Sequence, residues 1–253
     1  MKITFLGTGT SVGVPMIGCQ CAVCQSVDLH DKRLRSSILW QVGETKLLID
    51  AGPDFRQQML RAQCKTIDAI LITHHHYDHI GGLDDVRSIN YWTRKPMPIY
   101  AEEHTISALH KMLSYVFAKN KYPGVPKMEL KKIDEQPFTI NNIVITPIRV
   151  MHYKMPILGF RIENWIYITD ASQVPDESIE LMKGCDTLII NALRWQAHLS
   201  HFNVSDALEV VEKVNPKRTF LTHICHDMGL HAEAQLKLPK NVYLAYDGLI
   251  IED

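Results

Sequence analysis

The sequence lacks any apolar stretch that approaches the roughly 20 residues of a membrane-spanning helix. It also lacks a large charge of either sign, because 27 Lys and Arg residues face 28 Asp and Glu residues and leave a net charge of -1. Its first residues, MKITFLGTGT, lack the long apolar core of a signal peptide. We therefore expect a cytoplasmic protein with no membrane partner, and we expect no nucleic-acid partner held by overall charge.

The glycine-rich turn from Gly7 to Pro15 lacks the Lys-Ser/Thr ending of a phosphate-binding loop, and the chain lacks short-period repeats. Of its 253 residues, 46% are hydrophobic and 22% are charged, which is typical of a globular protein with a substantial core. Strand-like runs followed by helix-like runs occur twice, with a midpoint near residues 120–130. This order predicts an α/β protein, a four-layer αββα sandwich formed by a single domain over residues 1–253.

The most informative stretch is THHHYDHIGG, from Thr73 to Gly82, which follows an apolar, strand-like run. A tight turn after a buried strand would let four side chains converge: His74, His76, Asp78 and His79. Imidazole nitrogens and a carboxylate together suit a divalent transition metal, above all zinc. One tetrahedral zinc that keeps a position open for water does not use all four side chains. The motif therefore favours two metal ions, which take further ligands from elsewhere in the chain.

More side chains of metal-ligand type follow apolar, strand-like runs elsewhere in the sequence. They are Asp50, His152, Asp170 and His223. In layered α/β folds, functional sites gather at strand ends, where loops from several strands meet. A lone histidine after a strand is usually structural, but the repeated placement predicts a shared site.

Three of the six cysteines, Cys19, Cys21 and Cys24, lie within six positions. This spacing suits metal binding better than a disulfide framework, and it agrees with a reducing cytoplasm. Three thiolates at this spacing can surround one zinc ion, whose fourth ligand must come from elsewhere in the chain. The competing interpretation is a set of buried free thiols.

The sequence His74-x-His76-x-Asp78-His79, followed by Gly81-Gly82, resembles the signature of the metallo-β-lactamase-fold hydrolases. The resemblance implies an αββα sandwich with a two-metal active site, and it leaves open which bond is cut. It implies that one ion, zinc or manganese, binds His74, His76 and His152. The second ion would bind Asp78, His79 and His223. Asp170 would bridge the two ions, which would activate a shared hydroxide, and Asp50 would hold a ligand imidazole by its other nitrogen.

A narrower resemblance is to the cyclic-phosphate phosphodiesterase family of the carbon–phosphorus lyase pathway. It rests on the three-cysteine cluster together with His226, which lies three residues after His223. In that family these positions hold a structural zinc, so the resemblance implies a zinc site of Cys19, Cys21, Cys24 and His226. Cys225 is the competing fourth ligand, but its neighbour His226 matches the pattern.

The resemblance also points to a catalytic histidine in the loop before the helix that begins at Asn203. His201 matches a histidine that phosphodiesterases of the superfamily place over the substrate, and His198 is the competing residue. Such a side chain would orient a phosphoryl oxygen or protonate the leaving alkoxide. Catalysis would then rest on His201 and Asp78.

These features predict a metal-dependent phosphodiesterase that acts on a small-molecule or cyclic phosphodiester. One alternative is an RNA-processing nuclease of the ribonuclease Z type, but that group carries a long basic arm and this chain has only the short segment 119–127. A thioesterase or lactamase of the same fold is a second alternative. A non-catalytic metal-binding module is a third, although a purely structural site needs fewer ligands. The oligomeric state stays open, with a homodimer as one outcome.

Overall fold

Fourteen strands form the sheets of the computed structural model, which describes the whole chain, Met1–Asp253. In chain order they are β1 (Lys2–Gly7), β2 (Ser37–Val42), β3 (Thr45–Ile49), β4 (Ala69–Leu71), β5 (Met97–Ala101), β6 (Met128–Lys132), β7 (Phe138–Ile140), β8 (Ile143–His152), β9 (Met155–Ile162), β10 (Trp165–Tyr167), β11 (Thr187–Asn191), β12 (Arg218–Thr222), β13 (Val242–Leu244) and β14 (Ile250–Glu252).

Nine α-helices accompany the strands. They are α1 (Ala22–Gln25), α2 (Phe55–Arg61), α3 (Tyr77–Ile80), α4 (Val86–Thr93), α5 (Glu103–Met112), α6 (Ser114–Phe117), α7 (Asp176–Met182), α8 (Val204–Val214) and α9 (His231–Gln235). Short 3-10 turns cover Leu29–Asp31, Leu83–Asp85 and His226–Met228. None of the helices combines the length and the apolar character that crossing a membrane requires.

The chain forms two compact units. The first consists of Met1–Leu6, Ser37–Asp134 and Gly248–Asp253, and the second of Gly7–Ser36 and Glu135–Asp247. The first unit's sheet has the order β14-β1-β2-β3-β4-β5-β6, and the second unit's sheet has the order β13-β12-β11-β10-β9-β8-β7. In the first sheet β3 to β6 are parallel, and in the second β10 to β13 are parallel. Each unit therefore has an edge at which the carboxyl ends of parallel strands meet.

Each sheet buries its own apolar residues. β4 (AIL) and β11 (TLIIN) are fully buried, as expected for central parallel strands that are covered on both faces. The second unit's helix α8 begins at Asn203, whose side chain and that of Asp206 form a capping box. A cap of this kind stabilises a helix by about 1 kcal/mol. Helical spacing predicts one apolar face formed by Ala207, Val210, Val211 and Val214. Three of these residues are buried in the core of the second unit together with Val204, and Val211 packs against that core.

Two differences from the sequence-based expectation have a clear local cause. Apolar spacing predicts one helix over 105–118, but the structure has α5 and α6, because Leu113 leaves the helical conformation with φ −109° and ψ 40°. The strand β9 has no counterpart in the sequence analysis, since Pro156 and Gly159 both disfavour strands. Gly159 is required here, because a Cβ would lie 2.8 Å from the Ile168 side chain and the Tyr167 carbonyl.

Candidate metal and catalytic site

The loop after β4 presents four of the predicted metal ligands from the first unit: His74, His76, Asp78 and His79. Its conformation depends on Asp50, which follows β3 with a left-handed φ of 63° and is fully buried. Asp50 Oδ2 accepts a 2.7 Å hydrogen bond from His79 Nδ1, and Oδ1 accepts a 2.8 Å bond from the Thr73 amide. Burial raises the pKa of Asp50, and the bonds from His79 and Thr73 oppose that rise.

Thr73 extends the influence of Asp50 to a second histidine. The Thr73 hydroxyl donates to Asp50 Oδ2 over 2.9 Å, so it accepts a bond from His74 Nδ1, 3.0 Å away. His74 and His79 therefore both use Nδ1 as a donor and keep Nε2 for another ligand. Their ring centroids are 4.2 Å apart, and His76 lies 4.6 Å from His74.

The geometry of this first cluster fits a divalent cation. His79 Nε2 lies 3.2 Å from Asp78 Oδ2. In a neutral imidazole whose Nδ1 carries the proton, Nε2 is an electron-pair donor, and so is the carboxylate oxygen that faces it. A metal ion that binds both atoms resolves this contact, and imidazole and carboxylate are ligands that zinc and manganese accept.

The second unit builds a matching cluster at the ends of β10 and β12. Asp170 and His223 both have left-handed backbones, with φ 59° and φ 55°, and both are buried. The Thr169 hydroxyl donates to Asp170 Oδ2 over 2.7 Å and lies 3.4 Å from His223 Nδ1, from which it can accept. His223 Nε2 lies 3.2 Å from Asp170 Oδ1. A threonine thus orders a carboxylate and an imidazole in each unit, and both contacts suit a bound cation.

The loop before α8 completes the second cluster. His152, the last residue of β8, donates from Nδ1 to the Ser200 carbonyl over 2.8 Å, which fixes the orientation of its ring. His201 Nε2 lies 3.1 Å from Asp170 Oδ1, and its ring stacks on His223 at 4.9 Å. Ligand atoms of His152, Asp170 and His201 all lie within 4.8 Å of one another. The structure therefore places the predicted catalytic histidine beside the predicted bridging carboxylate.

His198, the competing histidine, has a different position. It is exposed, and its Nδ1 lies 3.2 Å from His201 Nδ1, on the side of His201 that faces away from Asp170. Burial lowers the pKa of His198, and the neighbouring His201 lowers it further. The structure brings His201, and not His198, to the carboxylate of Asp170.

A separate cluster in the second unit contains Cys19, Cys21, Cys24 and His226, whose ligand atoms lie within 4.8 Å of one another. His226 Nδ1 is 3.4 Å from Cys19 Sγ and 3.3 Å from Cys21 Sγ. Three sulfurs and one imidazole nitrogen at this separation fit a tetrahedral zinc shell. Cys225, the competing ligand, is buried and outside this group.

Two thiols of this cysteine cluster differ in acidity. The Cys24 backbone amide and His226 lower the pKa of Cys21 to about 6, whereas burial raises the pKa of Cys24 to about 11. A thiolate at Cys21 is thus available near neutral pH, and metal binding would favour the thiolate at Cys24 as well.

The residues that orient the ligands were missed by sequence reasoning. Thr73, Thr169 and the Ser200 carbonyl each hold a predicted ligand, yet none belongs to a spaced motif. The two threonines did carry one signal, because each directly precedes a predicted ligand at a strand end. The seven predicted active-site ligands fall into two groups, with four in the first unit and three in the second.

Comparison with known proteins shows which family this chain resembles. A model of the beta-lactamase superfamily domain matches residues 45–224. The chain is 42% identical over 252 residues to a Porphyromonas gingivalis protein named octanoyltransferase, a match that covers 98% of this chain and 51% of that protein. The chain thus spans about half the length of this curated relative.

Solved structures show the same fold. A diphosphatase from the PhnP family has a TM-score of 0.93 and 40% identity, covering 100% of this chain and 97% of that one. Zinc-bound PqqB from Methylobacterium extorquens has a TM-score of 0.79 and 19% identity, with full coverage of both chains. The predicted αββα class and the resemblance to metallo-β-lactamase-fold hydrolases are confirmed.

Proposed function

This chain belongs to the beta-lactamase superfamily of domains, and on that premise we propose that it is a metal-dependent phosphodiesterase for small or cyclic phosphodiesters. The observation that carries the proposal is the pairing of His201 with Asp170, at 3.1 Å. Asp170 accepts from His201 Nε2, so that nitrogen carries a proton beside the predicted metal ligands. A phosphodiester leaves an alkoxide that needs such a proton. The 40% identity to a diphosphatase supports chemistry at phosphorus.

We propose that the predicted ligands hold two metal ions. The first ion would bind His74, His76 and His152. The second would bind Asp78, His79 and His223, and Asp170 would bridge the two. When bound, the ions would lower the pKa of a water molecule and neutralise charge on the phosphoryl oxygens. Either zinc or manganese suits these ligands.

The protein's own groups would act on the substrate and on the ligands. His201 would hold its proton at Nε2 and pass it to the leaving oxygen, while Ser200 Oγ, 3.0 Å from Nδ1, fixes the ring. Asp78 would place a carboxylate at the second ion. Asp50 and Thr73 would hold His79 and His74 by their Nδ1 atoms, so that Nε2 of each ring would face the metal ion.

We propose that the cysteine cluster holds a structural zinc. Four protein ligands fill a tetrahedral shell and leave no position for water, so this ion would stabilise the fold and would not act on the substrate. The support is the convergence of Cys19, Cys21, Cys24 and His226 within the second unit.

A second candidate function is hydrolysis of an acyl thioester. It is favoured by the 42% identity to part of a protein named octanoyltransferase, since acyl transfer also proceeds through attack on a carbonyl. The nuclease alternative has weaker support, because only the short segment 119–127 offers a basic loop.

A substrate panel tests these candidates. Metal-loaded enzyme would be assayed on cyclic nucleotides, ribose cyclic phosphates, an aryl phosphodiester, an octanoyl thioester, a lactam and a short RNA. We expect the highest kcat/KM on a small or cyclic phosphodiester. Faster turnover of the thioester than of every phosphodiester would replace the proposal with the second candidate, and preference for RNA would favour the nuclease.

A further inference from the structure

The first unit carries a groove of about 900 Å³ that has no connection with the predicted metal ligands. It lies between α2 and α4, because residues of α2 and α4 that recur every three or four positions line its two walls. Met59 and Ile89 form a buried floor, while Leu60 and Trp92 stand at the rim with 62% and 76% of their surface exposed. Apolar side chains of this size are rarely left so exposed around a concave surface without a binding partner.

The two ends of the groove differ in charge. The start of α2 packs against Gly82, since a Cβ at Gly82 would lie 2.7 Å from Phe55 Cβ. Arg56 and Asp85 therefore share this end, and their charges offset each other. Lys65 follows the end of α2, is exposed and has no carboxylate partner. Lys46 and Asp68 also act on the neighbouring Cys64 with opposite charges, so Lys65 leaves this end with net positive charge.

We propose that this groove binds a single-chain amphiphile of the fatty-acid class, a site separate from the proposed hydrolase centre. The apolar tail would lie along Met59, Leu60 and Ile89, and the carboxylate would lie beside Lys65. The volume is within the range of small-molecule sites, which are mostly apolar and carry a few polar groups that fix orientation. A bilayer surface fits less well, because Met59 and Ile89 are buried in the floor of the groove, where a broad lipid surface would contact only the exposed rim at Leu60 and Trp92.

Trp92 provides a direct readout of this binding. Trp40 and Trp165 are buried, with 0% and 1% exposure, so a ligand at the rim would change the environment of Trp92 far more. We would titrate the full-length protein with decanoate below its micelle concentration and record tryptophan emission and heat. We expect one site per chain and a blue shift that disappears in Trp92→Phe while the heat of binding remains. Decanol and decylammonium are the matched ligands, and both should bind more weakly.

Matched variants locate the site. Lys65→Glu should weaken decanoate binding by about tenfold, because an attractive contact becomes a repulsive one, while Lys240→Glu, an exposed lysine of the second unit, should not. Ser88→Trp should fill the groove and abolish binding, with circular dichroism to verify folding, and Leu60→Gln gives a milder second variant. Leu236→Gln is the control for Leu60→Gln, since both leucines are exposed.

Three results would overturn the proposal. The first is no heat and no spectral shift with decanoate. The second is equal binding of decylammonium, or binding that survives both Lys65→Glu and Ser88→Trp. The third is sedimentation with phosphatidylglycerol vesicles in the absence of decanoate binding, which would assign the surface to a membrane. All readouts are binding measurements without turnover, so they do not depend on the proposed hydrolase activity.

Discussion

Replacement of Asp50 by Asn tests how the first cluster is organised. Asp50 is fully buried and accepts three hydrogen bonds, from the Thr73 amide, the Thr73 hydroxyl and His79 Nδ1, at 2.8, 2.9 and 2.7 Å. Asn has nearly the same shape and tolerates the left-handed φ of 63°, so the backbone is not strained by the change. The substitution replaces one carboxylate oxygen by an NH2 group. At the position of Oδ2 this NH2 group would face the Thr73 hydroxyl and His79 Nδ1, which both donate hydrogen bonds.

The conflict falls on two groups. If the amide keeps its oxygen toward the Thr73 amide, its NH2 faces the Thr73 hydroxyl and His79 Nδ1. The hydroxyl can rotate, but His79 must move its proton to Nε2 to accept from the NH2, and Nε2 is then lost as a metal ligand. A hydrogen bond to a charged group contributes about 1.5–3 kcal/mol. We therefore expect a loss of about 2–4 kcal/mol of unfolding free energy for the metal-free protein.

The change in metal affinity is a second measure of the effect of Asp50→Asn, independent of the change in unfolding free energy. Loss of a hydrogen-bond partner behind a metal-ligating histidine costs about 10- to 100-fold in affinity, or about 1.4–2.7 kcal/mol. We would measure urea unfolding of the chelator-treated protein and zinc affinity by competition with a chromophoric chelator. Asp68→Asn is the matched control, because its carboxylate is exposed and accepts only from the Lys46 amide among the bonds described. Unchanged zinc affinity in Asp50→Asn would refute the inferred orientation of His79.

Four further outcomes are expected. Asp170→Ala should lower the metal content and abolish turnover. A variant with normal metal content and a full rate would show that Asp170 is not a metal ligand. His201→Ala should keep its metals, measured by emission spectrometry, while kcat falls by roughly 10²–10⁴; a larger loss in His198→Ala would exchange their roles. Cys21→Ser should lose one zinc per chain and lower Tm, with activity reduced only in part; unchanged zinc content would contradict the site. Burial lowers the pKa of His231 to about 4, so the unfolded state, with a pKa near 6.5, gains its proton first. Stability should therefore fall as pH drops from about 6.5 to about 4, and His231→Gln, followed by urea midpoints against pH, should flatten that slope.

The grouping of the predicted ligands within each unit could be foreseen, because residues of metal-ligand type follow apolar strands in the sequence. A histidine or aspartate that directly follows a fully apolar run is uncommon, so this combination marks the end of a strand. The strands before Asp50, His74 and His223 are indeed parallel, and their carboxyl ends carry these residues. The sequence pattern predicts that these side chains follow strands, but it does not predict which imidazole nitrogen is left for a metal. That detail depends on threonine hydroxyls and a serine carbonyl, which leave no pattern in a sequence.

The membership of the N-terminal segment could not be predicted from local patterns. The order of strand-like and helix-like runs divides the chain near its middle, but the segment Gly7–Ser36 belongs to the second unit. Buried Arg33 explains part of this placement, because its guanidinium donates to Thr8 Oγ1 over 2.8 Å and to the Ala245 carbonyl over 2.5 Å. Burial lowers the pKa of Arg33 to about 10, while Asp247 opposes the shift. Contacts between residues more than 200 positions apart carry no signal in a single sequence.

The partial effect expected of Cys21→Ser follows from how the second unit holds His223. The next residue, Ile224, donates from its amide to the Thr8 carbonyl over 2.8 Å, and its carbonyl accepts from the Thr10 amide over 3.2 Å. These bonds join the N-terminal loop to the end of β12 without any help from the cysteine cluster. Zinc at Cys19, Cys21, Cys24 and His226 would form a second connection between the N-terminal loop and the segment after β12, three residues beyond His223. Loss of zinc should therefore loosen the loop and lower stability, while the backbone pairing at Ile224 keeps His223 near its position.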